Sequence, residues 1–145
     1  MGKEFESNRV INGTWGEMWF DDDYVGEIES CKGEVEITYE DVTRCRHLTT
    51  GKKMTKLEGK GEFKLHHVRT NISKKISDTV KSGVTPTFKI VSKLQDPEAL
   101  GAERVVYYGC KLNKAILMDF EAQKNGEESY SFTFEDWEFL DSISA

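Results

Sequence analysis

Glu34-Val35-Glu36-Ile37-Thr38-Tyr39-Glu40 is the stretch on which the fold turns. Val35, Ile37 and Tyr39 fall at every second position, and three of the four residues around them are glutamates. That is the repeat of a β-strand with one apolar face and one strongly acidic face that must meet water. The same period runs outward in both directions. Upstream, Trp15 to Phe20 and Tyr24 to Ile28 flank Asp21-Asp22-Asp23 and predict a hairpin with a solvated acidic tip. Downstream, Phe63 and Leu65 alternate with Glu62, Lys64 and His66, and Phe88–Leu94 alternates likewise. Strands are also predicted across Arg104–Leu112, Lys114–Phe120 and Ser129–Phe139, the last with Tyr130, Phe132 and Phe134 on one side. One segment breaks the pattern. Val68, Ile72, Ile76 and Val80 recur every four residues and predict an amphipathic helix over Val68–Ser82. Thr70 or Asn71 can cap its start, Lys81 suits its negative end, and Gly83 and Pro86 stop it. The fold class that follows is mainly β, an antiparallel barrel or sandwich with one helix across a mouth or face.

The chain has 145 residues, which suits one domain spanning 1–145. No run nears the roughly 18 apolar residues of a spanning helix, and Met1 to Val10 lacks a secretory signal's apolar stretch. Cys31, Cys45 and Cys110 are odd in number and widely spaced, so they read as reduced thiols in a cytoplasm. Charge is segregated along the chain. Residues 1–40 hold 11 Asp/Glu against 3 Lys/Arg, residues 41–94 hold 4 against 13, and residues 95–145 hold 11 against 4. The basic middle can neutralise the acidic flanks within one molecule, or such separated surfaces can dock head to tail on further copies.

The basic middle begins with a long polar stretch, about 41–59, that reads as a protruding arm rather than a turn. Arg44, Arg46, Lys52, Lys53 and Lys56 give it charge, and Val42, Leu48, Met54 and Leu57 give it apolar residues suited to ordering against a neighbour. Motifs for chemistry fail on inspection. Thr50-Gly51-Lys52-Lys53 lacks the first glycine and the hydroxyl of a phosphate loop. The Asp21–Asp23 run has Val25 at a ligand position and Lys32 where a calcium loop closes with glutamate. His66 and His67, adjacent on a strand, point to opposite faces, and His47 is remote, so no zinc site is expected. No catalytic constellation, cofactor site or metal site is assigned. Gly13-Thr14-Trp15 matches the Gly-x-Trp of lipocalins and fatty-acid-binding proteins, and a small ligand-binding β-barrel is the alternative. A nucleic-acid module using the basic third ranks behind it, because that third lacks interleaved aromatics for stacking.

A resemblance spans nearly the whole chain. Val10-Ile11-Asn12-Gly13 leading into the first hairpin, the strand Glu34–Tyr39, the basic arm and Gly59-Lys60-Gly61-Glu62-Phe63 before the helix carry its first half. Gly101-Ala102-Glu103-Arg104-Val105 and the terminal Tyr130-Ser131-Phe132-Thr133-Phe134-Glu135-Asp136-Trp137 carry its second. In this order they resemble the tail tube (core) proteins of PBSX-type contractile phage tails, and the resemblance extends to tube subunits of R-type bacteriocins, the clostridial, diffocin-like particles among them. It implies a non-catalytic structural subunit that forms hexameric rings and completes a larger β-barrel on ring formation. The rings would stack into a tube inside a contractile sheath, with baseplate and tail-terminator proteins as further partners. The tube would conduct DNA without specific binding in a phage, or ions in a bacteriocin. It also implies assembly in the cytoplasm of a producing bacterium and release by lysis. Within that frame Arg44, Arg46, Leu48, Lys52, Lys53, Met54, Lys56 and Leu57 are expected at an inter-subunit contact. Glu34, Glu36, Glu40, Glu62 and Lys64 are expected on the bore, where carboxylates would repel phosphates.

Overall fold

A computed structural model describes residues 4–143. Two short 3-10 turns, Ser7–Arg9 and Gly13–Trp15, lead into β1 (Gly16–Phe20) and β2 (Asp23–Tyr24). Asp21 and Asp22 both have positive φ, at 49° and 73°. This is the signature of a two-residue type I′ turn, which matches the twist of paired strands and which short carboxylate side chains tolerate. The acidic run is therefore a turn, as read from its sequence. β3 (Ile28–Val42) and β4 (Gly51–His66) form one long antiparallel hairpin, α1 (Asn71–Lys81) follows, and β5 (Phe88–Leu94), β6 (Glu103–Leu112), β7 (Glu127–Phe134) and β8 (Asp136–Asp141) complete the order.

All pairings are antiparallel, in the order β2-β1-β5-β6-β7-β4-β3, with β8 paired to β6. β6 belongs to both halves of this path. It pairs β5 along Glu103–Tyr107 and again at Cys110, pairs β8 along Arg104–Tyr108, and passes to β7 at Lys111 and Leu112. Gly109, at φ +64°, lies at the crossing, beside a register shift between Phe88 and Ile90. Such a positive φ is open to glycine at little cost. The two halves face each other across an aromatic core. Phe20 of one lies 6.3 Å from Phe63 of the other, and Phe63 continues to Tyr130 at 5.2 Å. Met18, Ile90, Leu65, Phe132 and Phe134 fill the rest, and Ile72 and Ile76 of α1 join the same cluster.

The sheet is not closed into a barrel. The outer edge of β3 has no strand partner among the described residues, and a cleft of about 740 Å³ opens between β3 and the β1-β5-β6-β8 half.

Several boundaries differ from the sequence reading. Lys114–Phe120 is not a strand: only Ala115 and Ile116 pack on the core, while Leu117, Met118 and Phe120 stand exposed in an irregular segment. The run Ile116-Leu117-Met118 has no alternation, so no single face of it can be buried against a sheet. The predicted strand Ser129–Phe139 bends at Glu135, which separates β7 from β8. Trp15, predicted to open the first strand, lies instead in the 3-10 turn before it and is half exposed. The helix is shorter than Val68–Ser82. Val68 and Val80 are exposed, and Thr70 takes the N-cap position without a side-chain hydrogen bond. Gly83 has φ +80°, the left-handed stop expected of it.

The largest difference concerns the arm. Residues 41–59 are mostly strand, the distal half of the β3–β4 hairpin, and only 43–50 form a connecting loop. Polarity misled here because both faces of a ribbon beyond the core meet solvent. Cross-strand pairing of Glu34 with Lys60, Glu40 with Lys53 and Asp41 with Lys52 supports the ladder instead of a buried face.

Candidate functional site

Directly opposed residues of an antiparallel pair share a face, so the register of β3 against β4 sorts every side chain of the hairpin. One face carries Cys31, Gly33, Val35, Ile37 and Tyr39 opposite Phe63, Gly61, Gly59, Leu57 and Met54. Near the body this face is core. Phe63 is buried, and the aromatics of β6 and β7 lie flat on the glycines: a Cβ on Gly61 would meet Phe132 and come within 2.7 Å of the Lys32 carbonyl, and one on Gly59 would meet Phe134 at 2.6 Å. Past Val35 the same face continues with nothing over it. Ile37, Tyr39, Met54 and Leu57 are all about half exposed.

A β-bulge keeps that row in phase. Thr38 pairs Lys56 and Tyr39 pairs Met54, so Thr55 is the extra residue, with its Oγ1 donating to the Thr38 carbonyl at 3.3 Å. Without this insertion Leu57 and Met54, three positions apart, would point to opposite faces. The Lys52–Asp41 ion pair closes the row at its far end, and Arg44, Cys45, Arg46 and Leu48 lie exposed in the tip. Of the predicted contact residues, Met54 and Leu57 thus share the apolar face, Lys53 and Lys56 the opposite one, and Arg44, Arg46 and Leu48 the tip.

The opposite face gathers all five predicted bore residues, because Ser30, Lys32, Glu34, Glu36, Thr38 and Glu40 oppose Lys64, Glu62, Lys60, Glu58, Lys56 and Lys53. It is balanced rather than acidic: Glu34, Glu36, Glu40, Glu58 and Glu62 stand among five lysines of the two strands. Lys60 Nζ donates to Glu36 Oε2 at 2.9 Å and lies 3.9 Å from Glu58, and this raises its pKa above the ordinary 10.5. Lys64 is raised likewise, by its hydrogen bond to Glu127 of β7.

Other candidate chemistry is limited. Burial pushes the thiols of Cys31 and Cys110 up to about 12, which leaves them protonated and poor nucleophiles at neutral pH. Glu29, His66 and Glu127 come together on the outer surface with metal-ligand spacing, but all three are exposed and the Lys64 ammonium sits 3.1 Å from Glu127. Sequence reading missed two features of this region. Gly33, Gly59 and Gly61 are pads for aromatic rings, a role signalled by glycines inside a strand. Glu128 is buried in phase with Tyr130, Phe132 and Phe134, as the period of two on β7 requires.

The chain is thus an open β-sheet whose core face runs on, uncovered, along a projecting ribbon. The family described as Phage tail tube protein matches residues 3–141, and the chain belongs to that family. Among solved structures, the fold is similar to a chain of the anti-feeding prophage tube terminating cap, with a TM-score of 0.75 at 8% identity over 97% of both chains. It is also similar to a chain of the sheath-tube complex of an extracellular contractile injection system, PVC, in its extended state, with a TM-score of 0.70 at 8% identity over 96% of this chain and 100% of that one. A chain of a native gene transfer agent virion gives a TM-score of 0.53 at 9% identity over 90% and 98%. No curated protein matches in sequence. This is a structural, tube-forming family, consistent with a subunit that has no enzymatic activity. Among the described residues, no helix is long and apolar enough to cross a membrane.

Proposed function

We propose that this protein builds the inner tube of a contractile, phage-like tail of the PBSX or R-type bacteriocin kind, as hexameric rings stacked within a sheath between baseplate and terminator proteins. The observation that carries the reading is the uncovered apolar row Ile37, Tyr39, Met54 and Leu57, a core face prolonged beyond its own core. In a ring, the row packs on a neighbouring copy, and the unpaired β3 edge gains hydrogen bonds from the next sheet, so that open sheets join into one larger barrel. The charge-balanced face of the hairpin then lines the bore. A wall with equal numbers of Lys and Glu has little net field to hold a polyanion, which suits passage of DNA in a phage or of ions in a bacteriocin.

The fatty-acid-binding alternative needs a closed apolar cavity. The cleft here is open and carries Glu17, Lys93 and Glu103 on its walls, and the sheet path does not close. Negative-stain electron microscopy of concentrated protein, and of particles released by producing cells, tests the proposal. Annular or tubular objects with a central hole are expected. Protein that remains monomeric when concentrated, and is absent from the central shaft of native particles, overturns it.

A further inference from the structure

Past β6 the chain carries an apolar run with only one side covered. Asn113 still reaches β7, its N–H donating to the Ser131 carbonyl at 3.1 Å. The segment then follows β7 towards its start, where Leu117 and Met118 share a small pocket with Glu127 and Glu128. Ala115 and Ile116 pack on the core, while Leu117, Met118 and Phe120 are 78%, 78% and 85% exposed. Near-continuous apolar runs belong to segments buried on both sides. Here the chain itself covers one side and leaves three large side chains bare on the other. Along the same edge, Glu127–Tyr130 of β7 have β4 on one flank and no strand on the other among the described residues.

The opposite edge of that sheet has a cleft with the complementary shortage. One wall is β3 from Ile28 to Val35, whose outer edge is free, and the floor includes Val105, Tyr107, Trp137 and Phe139 of β6 and β8. Val105 opposes Phe139 and Tyr107 opposes Trp137, so these four share one face, and Phe139 is 61% exposed on it. The two edges stand level. Ile28 and Val35 oppose Leu65 and Gly59 of β4, which in turn oppose Glu128 and Phe134 of β7. A second copy set beside the first, without shift along the strands, therefore brings its segment 115–120 to the cleft. Charge agrees. Four glutamates and one lysine line the cleft, and Glu17 and Glu103 have no cation within 4.0 Å among the described residues, whereas neighbouring Arg104 pairs with Asp141. Lys114, at the head of the segment, is exposed and has no carboxylate within that distance, whereas Lys111 pairs with Glu135. Asp119, the acid within the run, lines the small pocket with Lys74 of its own α1.

We propose that Leu117, Met118 and Phe120 of one copy of this chain fill the cleft beside β3 of the next copy in the ring, with Lys114 at its acidic rim. This rests on the tube reading and names the lateral contact within it. At about 740 Å³ the cleft is of the size that encloses a small ligand, which is room for three side chains. Water leaves the floor and the inserted side chains together, so apolar burial holds the contact and the exposed charges steer it. An edge that inserts and an opposite edge that receives form a heterologous pair, which closes into a ring when the rotation between copies divides a full turn.

Cross-linking tests the pairing directly. Met118→Cys places a thiol on the segment and Glu103→Cys one on the cleft wall, in a Cys45→Ser background that removes the exposed native thiol. A short bismaleimide added to assembled protein should give a denaturing-gel ladder that ends at the subunit number of the ring and disappears when Met118→Cys is left out. Only dimers would show a two-fold contact and overturn the proposal. Leu117→Ser, Met118→Ser and Phe120→Ser together change exposed side chains alone. The dissociated subunit should therefore keep its urea midpoint, while the concentration at which rings sediment should rise about tenfold or more. If that triple variant loses its fold, the cross-link decides. Assembled double-cysteine protein without a ladder, or triple-serine rings at the native concentration, overturns this contact and leaves the tube reading intact. Protein of native sequence that forms no rings overturns both.

Discussion

The two halves of the β3–β4 hairpin share one ladder and one alternation, yet they differ in what lies over the apolar face. Between Cys31 and Val35 that face is roofed by Tyr107, Phe132 and Phe134, close enough to require glycines at positions 33, 59 and 61. Between Ile37 and Tyr39 it has no roof. A period of two therefore specifies which side of a strand seeks burial, while the covering element decides whether one chain alone supplies it. The distal half is ordered as a ladder while its apolar face stays uncovered.

This contrast is sharpest for side-chain deletion. Phe63→Ala, in the roofed half, should lower unfolding free energy by about 3–5 kcal/mol in a urea titration. Ile37→Ala with Leu57→Ala should leave the dissociated subunit within about 1 kcal/mol of the native sequence, because about half of each side chain is already exposed, yet should abolish tubes in micrographs. If the distal pair destabilises the lone subunit as strongly as Phe63→Ala, the two halves are not different in kind. Glycine substitution gives the next largest effect. Gly61→Ala would drive a methyl group into Phe132 and should cost about 1–3 kcal/mol by thermal or chemical unfolding. Gly51→Ala has its nearest neighbour at 3.6 Å and should be tolerated.

Charge reversal of Lys52, Lys53 and Lys56 together sets like charges opposite Asp41 and Glu40 and should loosen the distal ladder, while the body of the subunit stays folded by circular dichroism and tubes are shortened or prevented. Normal tube length would remove the distal lysines from the contact. The smallest effect is expected at the junction of the halves, where Glu36 raises the pKa of Lys60 above 10.5. A raised ammonium contributes stability that is fully present below its unfolded value and is lost as pH rises through the folded one. The urea midpoint of the native sequence should therefore slightly exceed that of Lys60→Met at pH 7 to 10, and the gap should close as the pH is taken above 10.5. A gap that persists into strong alkali would assign the effect to packing of the lysine stem.

Much of this architecture was legible before the structure. The inward set Tyr130, Phe132 and Phe134, the helix around Ile72 and Ile76, the Asp21–Asp22 turn and the glycine stop at Gly83 all follow from local period or local backbone preference, and the structure has each of them. The strand character of residues 51–59 was hidden because its support is cross-strand, from acids more than ten positions away, and no window along one strand contains both partners. The bulge at Thr55 hid the common facing of Met54 and Leu57 for the same reason. Charge showed that the middle third was unusual, but not that one face of the hairpin carries five lysines and five glutamates. The burial of Glu128 could have been suspected from its phase on β7; its partners Ser73 and His67 depend on where α1 and the turn before it pack, which sequence does not reveal.

The crossing of β6 between the two halves of the sheet has a mechanical meaning. Because one continuous backbone is stitched into both layers, they cannot glide past each other without tearing its ladders in shear, where many bonds must yield together. Thrust arriving along the hairpin would be handed through β7 to β6 and spread over the body. A tube built of such subunits would draw its stiffness from topology, with no crosslink required.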